Sequence, residues 1–161
     1  MTAPRGLRAW NVLERAEVDA ALARLEQVGL RDLAQADAKD LPYGAKKRLE
    51  LAMALAGLLP QPDHPPTPKL LLLDEPAAGL ASEERASLMQ LVRTLAQTQG
   101  IAVLYTEHNM DAVFGVADRV LVLIDGLLAA QGTPDEIAQD PVVRARYLGV
   151  GFAAPAGAAH A

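Results

Sequence analysis

Four consecutive leucines, Leu70 to Leu73, constrain this chain more than any other feature. They follow a stretch, 60–68, that holds five prolines, and they end abruptly on Asp74-Glu75-Pro76. Proline suits neither a helix interior nor a central strand, so 60–68 is expected to be a surface loop. The leucine run then reads as a strand buried on both faces, the type found inside a parallel sheet. A second such run, Ile101 to Tyr105, ends in Thr106-Glu107-His108. Between the two, Ser82 is expected to cap a helix reaching Gln99, with Glu83 and Glu84 on its amino-terminal dipole. Strand, helix and strand in that order predict an α/β layered domain with a mostly parallel sheet and flanking helices.

The flanks add smaller elements. Residues 1–13 show no persuasive period and are expected to be irregular. From Glu14 to Val28 the positions Val18, Ala21, Leu22, Leu25 and Val28 recur at helical spacing, and Gly29 supplies a stop. Asp40 to Gly44 reads as a turn, with a second helix from about Ala45 to Leu59. Met110 to Val116 is expected to be a short helix. Val120 to Ile124 and Leu127 to Ala130 are expected to pair around the turn Asp125-Gly126. Thr133-Pro134-Asp135-Glu136 reads as a capping box with proline at the first helical position. The expected organisation is a helical part over 14–59, the loop 60–68, an α/β core over 69–150 and a flexible tail over 151–161.

Composition narrows the function classes. Hydrophobic residues make up 51% of the 161 and aromatics only 4%, so the chain can bury a core and that core must be aliphatic. The formal net charge of -5 leaves no electrostatic footprint for nucleic acid, which is not expected as a partner. With no cysteine, disulfides and thiolate metal sites are excluded. Leu70 to Leu73 is far too short to span a bilayer. Met1 to Trp10 carries two arginines and no apolar stretch of the kind a secretory signal needs.

In an open α/β sheet, ligands bind beyond the carboxyl ends of the strands. A strand ending on Asp74-Glu75 delivers two carboxylates to that edge, pointing in different directions. Asp74 is positioned to hold a magnesium ion, and Glu75 to polarise an attacking water as general base. An isolated Asp-Glu pair is more often a strand simply meeting solvent. The second strand changes this, because it brings His108 to the same edge if the two strands are neighbours, where an imidazole can bond a terminal phosphate. Leu41-Pro42-Tyr43-Gly44-Ala45, ahead of Lys46, Lys47 and Arg48, offers a helix amino terminus that suits an anion; an ordinary turn with a solvated basic face is the alternative.

Taken in order, these elements resemble the ATP-binding subunits of ABC transporters. Leu41-Pro42-Tyr43-Gly44-Ala45 stands where that family has its signature segment, and Leu70 to Glu75 looks like its Walker B strand. Ala78-Gly79-Leu80-Ala81 resembles its D-loop, and His108 its switch histidine. A narrower likeness is to the importers of branched-chain amino acids. It rests on Tyr43-Gly44, on Arg48-Leu49-Glu50, on Glu75 to Leu80, on Glu107-His108-Asn109-Met110-Asp111, and on Gly132 to Glu136 with Tyr147-Leu148-Gly149. The resemblance implies a P-loop NTPase fold of the ABC ATPase type, with ATP and Mg2+ as cofactors. Two such subunits, identical or not, would clasp ATP, with the signature segment of each reaching the other's nucleotide. It also implies membrane permease subunits as partners, a periplasmic binding protein as an indirect one, and a cytoplasmic place on the inner face of the plasma membrane.

The sequence departs from that family in places. It contains no Gly-x-x-x-x-Gly-Lys-Ser/Thr, so it reads as a carboxyl-terminal portion that on its own binds ATP poorly. Pro42 stands where a serine hydroxyl would meet phosphate, Ala45 where a glutamine would stand, and Ala81 at the polar end of the D-loop. Two further readings stay open: a non-catalytic remnant that only dimerises with an intact ATPase subunit, and an ABC-type ATPase of DNA repair.

Overall fold

The computed structural model describes residues 15–58 and 69–148. The irregular start, the proline-rich loop and the tail expected from the sequence lie outside these residues. The chain divides into two compact units, 1–59 and 60–161.

In the first unit, α1 (Arg15–Gln27) packs against α2 (Tyr43–Ala56), and the 3-10 turns Arg31–Leu33 and Ala38–Asp40 lie between them in sequence. The Arg48 guanidinium donates to the Val28 carbonyl at 3.3 Å, tying α2 to the end of α1. Val28, Leu30, Leu41, Leu51, Ala52 and Leu55 are buried. The expected turn over Asp40 to Gly44 needs correction, because α2 begins at Tyr43 and Gly44 already lies in its first turn. Pro42 sits at the N-cap; its fixed φ of -54 suits that entry to a helix, and it offers no side-chain hydrogen bond.

In the second unit, β1 (Lys69–Asp74) and β2 (Ile101–Thr106) pair in parallel, from Lys69 opposite Ile101 to Asp74 opposite Thr106. The helix joining them, α3 (Ser82–Gln99), buries Leu88, Met89, Val92 and Leu95, a stripe at helical spacing. Ser82 does not cap it. Ala81 holds the N-cap position and has no side-chain acceptor, while Glu83 and Glu84 do occupy the first turn. Next comes α4 (Met110–Phe114), whose cap is the Asn109 carboxamide, accepting from the Ala112 N–H at 3.0 Å.

A hairpin of β3 (Val120–Ile124) and β4 (Leu127–Gly132) forms a separate antiparallel sheet. Asp125 (φ 50) and Gly126 (φ 79) turn it with both φ values positive, the left-handed geometry that Asp-Gly accepts and that matches strand twist. The capping box exists as expected: the Thr133 N–H donates to the Glu136 carboxylate at 2.8 Å, and Thr133 caps α5 (Pro134–Gln139). Gly132 makes room for it, since a Cβ there would sit 2.7 Å from Glu136 Oε2. A short α6 (Pro141–Val143), capped by Asp140, and a π turn over Arg144–Leu148 follow. Val113, Phe114, Val122, Ile137, Ala138 and Val143 form the core under this hairpin.

The expectation of strands buried on both faces is corrected. In β1, Leu71 is buried but Leu70 and Leu72 are 53% and 64% exposed, and Leu104 of β2 is 54% exposed. The helices cover only one side of the strands, and no described residue buries the other.

Candidate functional site

Parallel pairing in register decides the geometry of the edge. Because Asp74 lies opposite Thr106, the residues just past each strand end emerge side by side. His108 Nδ1 lies 3.5 Å from Glu75 Oε1, with the two side chains 74% and 50% exposed. An open pair of this kind is accessible to a ligand and to solvent, and contributes little to folding as an ion pair.

Thr106 is the hub that holds the Asp74 carboxylate and the Glu75 backbone. Its hydroxyl donates to Asp74 Oδ1. The Glu75 N–H donates both to the Thr106 hydroxyl and to its carbonyl, at 3.1 Å each. One residue further, Glu107 Oε1 accepts from the Ala77 N–H at 3.2 Å, so the chain after β2 also grips the chain after β1. Glu75 itself takes φ 41, a left-handed conformation that costs a non-glycine residue energy and is found where surrounding bonds enforce it.

The donor chemistry suits a hard cation held jointly with a phosphate. Asp74 and Glu75 supply carboxylate oxygens, yet among the described residues no cluster of three or more His, Cys, Asp or Glu could hold a metal alone.

The chain from Pro76 to Ala81 turns tightly behind this edge. The Ala78 N–H donates to the Glu75 carbonyl and the Leu80 N–H to the Ala77 carbonyl, with Gly79 at φ 77. Ala77 and Leu80 are buried, which anchors the turn. Leu41, Pro42, Tyr43, Gly44 and Ala45 belong to the other unit, at the start of α2. Leu41 is buried and Tyr43 is exposed. The three basic residues that follow already have partners. Lys46 donates to the Lys39 carbonyl at 2.8 Å, Lys47 to Glu50 at 3.0 Å, and Arg48 to Val28. The Glu50 carboxylate holds the Lys47 ammonium pKa above its ordinary value.

Sequence reasoning noted Thr106 only as a residue before His108 and Glu107 only as part of the run Glu107 to Asp111, and gave neither a role. The signal was present, since a hydroxyl residue sat at the same strand end as an Asp. Only the register shows that the two meet.

A solved ATP-binding cassette of an ABC transporter, in its ADP conformation, superposes with a TM-score of 0.73 at 29% identity, over 88% of this chain and 54% of that one. The fold is that of an ABC ATPase. A nucleotide-free cassette of an ABC transporter agrees, with a TM-score of 0.70 at 28% identity over 84% of this chain. By sequence the chain is 38% identical, over 132 residues, to the high-affinity branched-chain amino acid transport ATP-binding protein LivG of Salmonella typhimurium. That match covers 82% of this chain and 48% of LivG. It is 36% identical to the corresponding protein BraF of Pseudomonas aeruginosa over 88% of this chain and 52% of BraF. It is also 36% identical to the lipopolysaccharide export ATP-binding protein LptB of Acidithiobacillus ferridurans, over 80% of this chain and 49% of LptB. The chain thus spans about half the length of the curated ATP-binding proteins it matches. No protein-family model matches it. Among the described residues, no helix is long and apolar enough to cross a membrane.

Proposed function

We propose that this chain is the carboxyl-terminal portion of an ATP-hydrolysing energy subunit of an ABC importer, with branched-chain amino acids as cargo. The observation that carries the reading is the shared edge of two parallel strands, where Asp74, Glu75 and His108 converge with Glu75 and His108 at 3.5 Å. In this reading Asp74 would hold Mg2+, which would neutralise phosphate charge as the bond to the leaving ADP breaks. Glu75 takes a proton from the attacking water, and His108 donates a hydrogen bond towards the terminal phosphate. Thr106 holds the Asp74 carboxylate and the Glu75 backbone at the edge. Leu41 to Ala45 would reach the nucleotide of a second ATPase subunit, and Ala78 to Ala81 would line the contact between the two. Permease subunits would hold the pair at the cytoplasmic face of the membrane, and a periplasmic binding protein would deliver the cargo.

The cargo assignment is supported by LivG and BraF, and the similarity to an export protein such as LptB makes its test necessary. Glu75→Gln, in the ATPase that contains this chain, should keep ATP binding and lower phosphate release by a factor of ~10²–10⁴, the range of a general base. Unchanged release would remove Glu75 from that role. Deleting the coding sequence should abolish uptake of radiolabelled leucine while sparing urea; the reverse pattern would reassign the cargo. A second reading is favoured by Pro42, which has neither N–H nor hydroxyl to offer a phosphate. There the chain only dimerises with an intact ATPase subunit, and Glu75→Gln would then leave the hydrolysis of the pair untouched.

A further inference from the structure

Glu107 stands between the two residues that shape the strand edge, Thr106 and His108, and the hydrolytic reading gives it no task. Its carboxylate reaches back to the chain after β1, where Oε1 accepts from the Ala77 N–H at 3.2 Å. Ala77 has no exposed surface, so water is a poor substitute partner for that N–H. A buried amide left unpaired is costly, and the Glu107 carboxylate removes the cost. The bond is itself partly buried, which shields it from competing water.

The place of this bond matters more than its strength. Ala77 lies at the start of the turn 76–81, whose own bonds join only near neighbours: Ala78 N–H to the Glu75 carbonyl, Leu80 N–H to the Ala77 carbonyl. At the far end Arg85 fastens the turn to α3. Its guanidinium donates to the Leu80 carbonyl at 2.9 Å, and its N–H donates to the Ala81 carbonyl at 2.9 Å. At the near end the clamp comes from Glu107, 30 residues away and just past the other strand. Two adjacent residues thus do two things: His108 meets Glu75 at 3.5 Å, and Glu107 fixes the start of the turn. A displacement of the turn pulls on the backbone one residue from His108, and a displacement of His108 strains the bond to Ala77.

We infer that Glu107 is a positioning residue, which locks the turn 76–81 to the strand end that carries His108. The consequence for turnover rests on the hydrolytic reading, in which the turn meets a second ATPase subunit. Glu107 then carries the seating of that subunit to His108. It touches no reacting atom. The Ala77 N–H needs an acceptor and not a charge, so an amide oxygen at position 107 serves as well as a carboxylate.

Glu107→Leu removes the acceptor and Glu107→Gln keeps one. In the full 161-residue chain, amide hydrogen exchange at Ala77 should be about 10-fold faster in Glu107→Leu and unchanged in Glu107→Gln. The Ile137 amide, bonded to the Thr133 carbonyl, is the control for general loosening and should be unchanged in both. In the ATPase that contains this chain, Glu107→Leu should lower kcat by about 10-fold with KM for ATP unchanged, as misplacement of a reacting group does. Glu107→Gln should restore kcat. Exchange at Ala77 that ignores Glu107→Leu overturns the proposal, and so does equal acceleration at Ile137, which would mean general destabilisation. Unchanged kcat in Glu107→Leu, in an ATPase that Glu75→Gln silences, overturns the effect on His108. If Glu75→Gln leaves turnover intact, the hydrolytic reading falls instead, and exchange at Ala77 alone decides whether Glu107 locks the turn.

Discussion

At the scale of single residues, Thr106 and Tyr105 show how one strand end serves two purposes. Thr106 bridges the Asp74 carboxylate and the Glu75 N–H, and a solvent-exposed hydrogen bond contributes about 1 kcal/mol net. Thr106→Val keeps the shape and loses both bonds, so urea denaturation should show a loss of about 1–2 kcal/mol, with the secondary structure retained. Tyr105 behaves differently. Burial pushes its phenol up to about 12, with Glu107 and Asp118 adding to the effect and Arg93 opposing it. The folded state therefore resists ionisation that the unfolded chain undergoes near 10. The stability linked to the neutral phenol is complete below about pH 10 and is lost as the pH rises towards 12. Tyr105→Phe should remove that alkaline decline and, by deleting an unpartnered buried hydroxyl, stabilise the chain by about 1 kcal/mol at neutral pH. Asp74, Glu75 and His108 were legible as candidates from residue type and strand-end position. Thr106 and Glu107 were not, because their partners lie 32 and 30 residues away and only strand register joins them.

At the scale of elements, local chemistry was the best guide. The Thr133 to Glu136 capping box needs only a four-residue window, and the structure contains both of its reciprocal bonds. Thr133→Ala should cost about 1 kcal/mol in chemical denaturation. The carboxylate of Glu136 is held below its ordinary pKa by the Thr133 N–H, with the Thr133 hydroxyl adding to it. A lowered folded pKa gives stability that is present above the ordinary carboxylate range and lost as the pH falls through the folded value. The stability difference between the native chain and Glu136→Gln should therefore shrink as denaturation is repeated at successively lower pH. The Asp125-Gly126 hairpin was equally legible, since left-handed turns select that dipeptide. Caps read from a single residue fared worse. Ser82 was one position late, and the start of α2 at Tyr43 was missed because proline at an N-cap and proline in a turn look alike in sequence. Asn109 was overlooked although its residue type is a strong cap.

At the scale of the whole molecule, the continuous apolar strands predicted two covered faces, and the described residues cover one. Leu70, Leu72, Leu104, Leu121 and Leu123 form the open side. The isolated chain should bind the dye ANS at neutral pH while its circular dichroism is native, and Leu104→Glu with Leu121→Glu should reduce that fluorescence by at least half. Native-like fluorescence in both proteins would mean that the face is covered in solution. The sequence by itself determined the main strands and helices, the hairpin, the capping box and the place of Asp74, Glu75 and His108 at strand ends, because each depends on short-range propensity. Tertiary structure alone decided which strand ends meet, that Thr106 and Glu107 lock them, and which strand face stays open. Those depend on register and on coverage from distant chain, and neither is encoded in any local window of residues.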